Sequence, residues 1–294
     1  MLYGIIGVLI VGIIFIGFLF SCYSTNINRQ TFEESKAWQK DHYDISWYNE
    51  DDEKTYVVNS YDGYELHMHF LASENNSGKY VIISHGHTDN HYGDLKYARI
   101  YLSLGYNVIT YDLRGHGENE KTYCTFSMRE SKDLFKIIED THKRYGDISV
   151  LGIHGESLGA ATSISVLKFE PDIDFVVADC AFARISPVLK AGLKAGHTPM
   201  IFYYIASAWT KIRTGYYYKD MSPIDEISKN KIPVLFIHGA DDEFVDKSNS
   251  EQMHKKNGGY SDLLIMDKAG HAASVFTDYK LYSDTVQKFL ENVE

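Results

Sequence analysis

The segment that most constrains the fold of this chain is 148–167, in which the motif 155–159 (GESLG) separates two different patterns. The run 148–153 is short, apolar and rich in β-branched residues, as in a buried strand, whereas the residues after the motif favour a helix. Only glycine fits beside so sharp a strand-to-helix turn, and the hydroxyl of the central serine then stands exposed above the sheet. Ser157 is therefore a candidate nucleophile, the alternative being a serine that only caps the helix.

Suitable partners for this serine occur later in the chain. A serine hydroxyl needs a general base, which a carboxylate in turn orients. The apolar run 233–238 opens into a loop with Asp241 and Asp242, and the apolar run 263–266 is followed by His271. Serine, aspartate and histidine thus each follow a predicted strand, and the spacing leaves the two aspartates open.

Strand and helix patterns alternate on both sides of the motif. Before it, 80–84 and 107–111 have the pattern of strands, while about 94–104 and 127–144 have that of helices. Such alternation predicts an α/β fold of parallel βαβ units whose loops at the carboxyl ends of the strands carry the site.

A hairpin is predicted around Tyr61-Asp62-Gly63. In its second strand His67 and His69 share one face, because side chains alternate between the two faces of a strand. We expect this face to be solvated, since no third ligand is suggested nearby; a metal held by the two histidines is the alternative.

From about Thr55 to the C-terminus, the chain resembles α/β-hydrolases of the serine aminopeptidase S33-like or monoacylglycerol-lipase-like group, and more closely the membrane-anchored bacterial hydrolases of the YqkD type. The stretches that carry the resemblance are 84–87 (SHGH), 111–117 (YDLRGHG), 154–160 (HGESLGA), 178–183 (ADCAFA) and the loops of Asp242 and His271. They imply a mostly parallel central sheet flanked by helices, and a serine hydrolase triad. They do not specify the substrate.

The resemblance also implies roles for single residues. It makes Asp242 the triad acid, with Asp241 its solvated neighbour and Asp179 a reserve that ends the strand before an insertion. It places the oxyanion-hole donors at the backbone N–H groups of His87 and Leu158. One departure is Asp246, which stands after Val245 where proline is common.

A rival pattern overlaps the first of these stretches. Residues 85–91 (HGHTDNH) come within one residue of the H-x-H-x-D-H motif of zinc hydrolases, but Asn90 stands where a ligand is needed. Because metal sites tolerate little error in ligand position, we predict no metal and no cofactor.

An aromatic-rich insertion at about 184–230 falls where α/β-hydrolases place a cap over the nucleophile. Tyr203, Tyr204 and Trp209 are predicted to line the substrate pocket, the alternative being that they pack the cap onto the core. The insertion is too short for a large lid, which predicts an open pocket for short to medium acyl groups.

The N-terminus predicts a membrane anchor. Leu2 to Phe20 is uncharged and apolar, and as a helix it reaches ~28 Å, close to the ~30 Å hydrocarbon core of a bilayer. No Lys or Arg precedes Arg29, which argues against a cleaved signal peptide. We therefore predict a single-pass anchor at 1–21, a polar linker at 22–52 and a hydrolase domain at 53–294. Positive charge is enriched on the cytoplasmic side of membrane proteins. Since Arg29, Lys36 and Lys40 follow the apolar run, they favour a cytoplasmic location for the catalytic domain.

Composition bounds the partners. A net charge of −11 disfavours nucleic acid. Cys22, Cys124 and Cys180 make no disulfide framework; free thiols are expected, with a Cys124–Cys180 bridge as the alternative. The sequence thus predicts a membrane-anchored serine hydrolase of short to medium acyl esters. The alternatives are a serine aminopeptidase or amide hydrolase and a hydrolase-fold binding protein without turnover.

Overall fold

One eight-stranded sheet forms the centre of the protein. The computed structural model describes residues 2–75, 77–225 and 227–293. The strands are β1 (Lys54–Asn59), β2 (Glu65–Leu71), β3 (Lys79–Ser84), β4 (Asn107–Tyr111), β5 (Val150–Glu156), β6 (Phe175–Asp179), β7 (Val234–Gly239) and β8 (Ser261–Met266). Their order is β1-β2-β4-β3-β5-β6-β7-β8. β2 pairs antiparallel with β1 and β4, and the other pairings are parallel, as the alternating sequence pattern predicts.

Helices cover both faces of this sheet. They are α1 (Leu2–Thr25), α2 (Phe32–His42), α3 (Leu95–Ser103), α4 (Glu130–Tyr145), α5 (Leu158–Ser165), α6 (Ile185–Ala195), α7 (Ile201–Thr214), α8 (Ser248–Lys256), α9 (Ser274–Thr277) and α10 (Tyr279–Val293). One apolar layer packs α4 and α5 on the sheet, and the other packs α3 and α10 on the opposite face. Burial on both faces is why β4 and β7 are buried along their whole length.

The segment that was expected to be a polar linker, 22–52, is folded. α1 continues to Thr25, and Asn26 pairs with Tyr123 in an isolated bridge. α2 begins at a capping box, in which the side chains of Thr31 and Glu34 each accept a hydrogen bond from the other residue's backbone N–H. This segment is therefore packed against the domain that contains the sheet.

The insertion at 184–230 forms α6, α7 and short 3₁₀ turns, and its contacts differ from those of a cap. α7 packs beside α1, with the ring of Trp209 edge-on to Phe18 at 5.2 Å between centroids. Gly17 allows the close approach, since a Cβ there would lie 2.4 Å from Ile205 Cγ2. The insertion thus holds the N-terminal helix.

The prediction that this face of β2 is solvated is wrong for His69, because His69 is buried. Its Nδ1 bonds to a carboxylate oxygen of Glu53, and its ring stacks on His91 at 3.5 Å between centroids. The chain before β1 supplies Glu53, which covers this face. His67 remains half-buried.

The three cysteines of the chain are free thiols, which agrees with the expectation and not with the bridged alternative. Cys124 and Cys180 are buried, and Cys22 lies half-buried in α1.

Candidate active site

The turn between β5 and α5 holds Ser157 in a backbone conformation that side chains rarely adopt, with φ at +52°. Glycine is required on both sides of it. A Cβ on Gly155 would lie 2.3 Å from the carbonyl carbon of Gly159, and one on Gly159 would lie 1.9 Å from Ser84 O. The motif therefore encodes a sharp turn that lifts the serine hydroxyl above the sheet.

The structure brings Ser157, His271 and Asp242 together in one hydrogen-bonded chain. His271 Nε2 lies 2.9 Å from Ser157 Oγ, and His271 Nδ1 lies 2.7 Å from Asp242 Oδ2. Since an ionised carboxylate only accepts, the network assigns the proton to Nδ1 and leaves Nε2 free to accept the serine proton. The arrangement can generate a serine nucleophile.

Asp242 is held as a carboxylate. Burial alone would raise its pKa, but hydrogen bonds from His238 and His271, the charge of His271 and the Val245 backbone N–H lower the pKa of Asp242 well below its usual range. Its Oδ1 accepts from the N–H groups of Phe244 and Val245 at 2.9 and 2.8 Å. These bonds fix the loop that carries the acid.

The two other candidate acids lie elsewhere. Asp241 is exposed. The Asp179 carboxylate accepts from the hydroxyls of Tyr97 and Tyr282 at 3.2 and 3.1 Å, and burial, with the charge of Glu156, raises its pKa to about 6. Asp242 is the aspartate that contacts His271. Asp246, in place of the common proline, therefore does not change which aspartate of the loop faces the histidine.

The two expected oxyanion-hole donors flank the serine. Leu158 is the first residue of α5, where an N–H has no partner within the helix. His87 follows Gly86, and a Cβ on Gly86 would lie 3.8 Å from Ser157 Cβ. Both backbones therefore approach the carbon that carries the nucleophile.

His85 orients the peptide that carries the backbone N–H of His87. Its Nδ1 donates to Gly86 O at 2.7 Å, and its Nε2 accepts from Leu113 N–H at 2.9 Å. Burial lowers the pKa of His85, which keeps the ring neutral as this pattern requires. Because the C=O and N–H of a trans peptide point in opposite directions, fixing the Gly86 carbonyl also fixes the N–H of His87. In the sequence, His85 stands out only as part of the motif at 84–87.

A cleft of about 620 Å³ opens over the serine. Its lining residues are Gln30, Ser35, Trp38, Gln39, His42, Gly86, His87, Thr88, Asp89, Lys96, Glu156, Ser157, Phe244, His271, Ala272, Ala273 and Phe276. Trp38 and Phe276 meet edge to face at 5.2 Å across one wall. This wall was not predicted from the sequence, although the spacing of Thr31 and Glu34 is typical of a helix start.

The predicted pocket residues of the insertion do not belong to this lining set. Tyr203 is buried, and its hydroxyl bonds to Ser186 Oγ at 2.5 Å. Tyr204 is 59% exposed on the surface. Trp209 packs against Phe18 of α1. The prediction that these three line the pocket is wrong, because their helix packs on α1.

A buried ion pair lies beside the turn that carries Ser157. Lys96 Nζ contacts a carboxylate oxygen of Glu156, the residue before the serine, and Tyr97 OH donates to the same oxygen at 2.6 Å. Burial works against the Lys96 cation, but the charge and hydrogen bond of Glu156 outweigh it and raise the pKa of Lys96. The pair fixes the backbone that enters the turn.

Within the described ranges, one group of metal-ligand atoms comes together, formed by Glu53, His69 and His91. The rings of His69 and His91 are only 16° from parallel, and a metal must lie near the plane of each ring that binds it. Nearly parallel planes do not meet close to the rings, so the geometry does not suit a shared ion. His85 is not in this group, and both of its nitrogens are engaged.

A model of the prolyl oligopeptidase family matches residues 94–293. The YqkD protein of Bacillus subtilis is 33% identical over 98% of this chain and 96% of its own length. The chain belongs to the prolyl oligopeptidase family. The predicted α/β-hydrolase superfamily, and the likeness to YqkD, are confirmed; the matching family model is the prolyl oligopeptidase one.

One more distant sequence relative and one solved structure also resemble this chain. The α/β-hydrolase domain-containing protein 17C of Xenopus tropicalis is 25% identical over 71% of this chain and 59% of its own length. An esterase from Pyrococcus furiosus superposes with a TM-score of 0.70 at 21% identity, covering 91% of this chain and 98% of that one. These likenesses support the α/β-hydrolase fold.

Proposed function

We propose that this protein is a membrane-anchored serine hydrolase that cleaves carboxylic esters of short to medium acyl groups. The observation that carries the proposal is the chain of hydrogen bonds from Ser157 through His271 to Asp242, at the base of an open cleft. Its likeness in fold to the Pyrococcus furiosus esterase supports an ester substrate by analogy.

The reaction would run in two halves. Ser157 Oγ attacks the ester carbonyl as its proton passes to His271 Nε2, and the N–H groups of His87 and Leu158 bind the oxyanion. The tetrahedral intermediate collapses, the alkoxide leaves with the proton from His271, and an acyl-serine remains. Water then attacks the acyl carbon by the same route, releasing the acid and restoring the serine.

Cleavage of amides is the second candidate. The family name supports it, since the family is described by a peptidase activity. Against it, an amine is a poorer leaving group than an alcohol, and the cleft wall of Trp38, Phe244 and Phe276 offers aromatic carbon, which suits an acyl chain.

The membrane assignment rests on α1. It is long and apolar enough to span a bilayer, and only 11% of its most apolar 18-residue stretch is buried in the protein, unlike a core helix. Its last turns are bonded to the catalytic domain, with Ser21 Oγ 2.8 Å from Thr210 Oγ1 and Arg213 Nη1 donating to Thr25 Oγ1 at 2.8 Å. Such contacts support a retained anchor over a cleaved signal sequence. The cytoplasmic side is the proposed location of the domain.

Labelling with a fluorophosphonate probe tests the chemistry. Full-length protein in membranes should label, Ser157→Ala should not, and Ser163→Ala, which changes a serine one turn beyond the motif, should label normally. A panel of p-nitrophenyl esters against matched aminoacyl amides then ranks the substrates. Amide turnover equal to ester turnover would favour the peptidase, and labelling of Ser157→Ala would exclude the assigned nucleophile.

A further inference from the structure

From the packing of the insertion on the anchor, we infer that the first two turns of α7 enter the bilayer beside α1 and form a second membrane-contacting surface. The inference rests on the proposed anchoring by α1. It concerns the outer face of α7, defined here as Ile201, Tyr204 and Ala208.

The two helices run in the same direction. Gly17 lies against Ile205, Ser21 bonds to Thr210, and Thr25 accepts from Arg213, so positions rise together along both helices. The polar contacts occupy the end nearest the catalytic domain. The other end of α7 therefore lies beside the apolar part of α1.

Depth follows from helix geometry. Apolar sequence in α1 gives way to polar residues at Ser21, and Gly17 is four residues before it, or ~6 Å along the axis. Ile205 is at this level, and Ile201, one turn earlier in α7, is ~12 Å from the polar boundary. These depths approximate the ~5–10 Å to which interfacial helices sink into a leaflet.

The outer face of α7 has the composition that this depth requires. Ile201 is 53% exposed and Tyr204 59% exposed, and Ala208 continues the strip one turn further on. No described residue of this strip is charged until Lys211, at the level of the polar contacts. A strip of this kind in water leaves apolar surface uncovered, whereas hydrocarbon chains solvate it.

A cation lies beside this face of α7. Lys190 of α6 places its Nζ 4.6 Å from the ring centre of Tyr203 and 5.9 Å from that of Tyr204. A long lysine stem beside a tyrosine is typical of the membrane interface, where the ammonium reaches the headgroups. The occupant of this face is thus the lipid of the leaflet that α1 crosses, and α1 and α7 together fix the tilt of the domain.

Cysteine accessibility in full-length protein tests the inference. In a Cys22→Ser background, which leaves the two buried thiols, single cysteines replace Ile201, Tyr204 or, as the matched control, Ile212, which is 72% exposed on the same helix. Open membrane fragments are treated with a membrane-impermeant maleimide. Ile212→Cys should label at least ten-fold faster than the other two, and all three should label equally in SDS.

A second readout separates lipid from protein as the covering group. An environment-sensitive fluorophore at position 201 should be quenched by lipids with brominated chains, and one at 212 should not. Equal labelling rates in carbonate-resistant membranes, or protection at 201 without quenching, would overturn the inference. Full-length protein in the soluble fraction would overturn the anchor itself, and the inference with it. Equal protease resistance of the variants checks their folding.

Discussion

Two peripheral segments flank the sheet, 26–52 and 184–230, and among their described residues only those of the first line the cleft over Ser157. α2 lays Trp38 against Phe276 and Phe32 against His91, so its aromatic side chains face the domain. α7 instead places Trp209 on α1. The difference teaches that a segment's position in the chain does not decide whether it shapes the pocket; the partner of its apolar face does.

The comparison holds only if hydrolysis takes place in the cleft that α2 borders, which is lined by Ser157 and His271. Ser157→Ala and His271→Ala should each lower kcat for p-nitrophenyl esters by about 10⁶, because a triad acts as a unit. Circular dichroism should be unchanged, and EDTA should have no effect. Loss of activity in EDTA with retention in Ser157→Ala would point to a metal and away from this cleft.

The loop that carries Asp242 is expected to give the next largest effect. Asp242→Asn should lower kcat by about 10⁴, since the amide favours the wrong tautomer of His271. Asp241→Asn, one residue away on an exposed side chain, is the matched control and should stay within about two-fold of the wild type. The reverse ranking would show that the described contact to His271 is not the productive one.

The sharpest test of the comparison removes one aromatic side chain from each of the two segments. Trp38→Ala should change kcat/KM by about ten-fold and move the optimum to longer acyl chains, as an apolar wall of the cleft is removed. Tyr204→Ala, with a more exposed ring on α7, should leave the acyl profile unchanged. An acyl profile that responds to Tyr204→Ala and not to Trp38→Ala would return the insertion to the role of a cap.

Deletion of α1 should affect solubility much more than turnover. A chain beginning at Asn26 loses the helix that covers Ile205 and Trp209, and we expect it to aggregate without detergent. In mild detergent its kcat should stay within about three-fold of the full chain, since the cleft lies on other elements. Light scattering measures the first effect.

The control for this deletion carries Ile205→Ser and Trp209→Ser as well, and it should recover solubility. A plain deletion that is monomeric in buffer would show that α7 does not need α1.

The smallest effect on turnover is expected at Asp179, which ends β6 just before the insertion. Burial, with the charge of Glu156, raises its pKa to about 6, so the folded protein binds this proton more tightly than the unfolded chain does. The wild type therefore loses stability as pH rises from about 4 to 6. Asp179→Asn should gain urea resistance relative to the wild type over that range, with kcat nearly unchanged. A relative gain on acidification, or a collapse of kcat, would contradict this placement.

Much of the fold was predictable from sequence because its cues are local. β4 was predicted with the bounds it has, since 107–111 is a buried apolar run between polar segments. The predicted start of α4 was three residues early, since Phe126 and Ser127 take positive φ values that no propensity reveals. At the site, the strand endings were sufficient to select Ser157 and His271, whereas the choice of Asp242 over Asp241 came from the family resemblance.

The remaining features depend on contacts between distant segments. His69 looked like a surface residue because the partner that buries it, Glu53, lies on another element. The aromatic residues of the insertion carry the same pattern whether they cover a pocket or a helix. Contacts such as the close approach of Gly17 to Ile205 distinguish the two, and they join residues far apart in sequence.

The connection between α1 and the cleft is short, which bears on how a substrate would reach the cleft. Gln30 lines the cleft, and its N–H donates to Thr88 O at 2.8 Å. It is five residues beyond Thr25, the last residue of α1, so the chain between them spans at most ~18 Å. In the membrane-anchored form that we propose, an ester dissolved in the leaflet beside α1 would reach the cleft by lateral diffusion at a high effective concentration, whereas a water-soluble ester would gain nothing from the anchor.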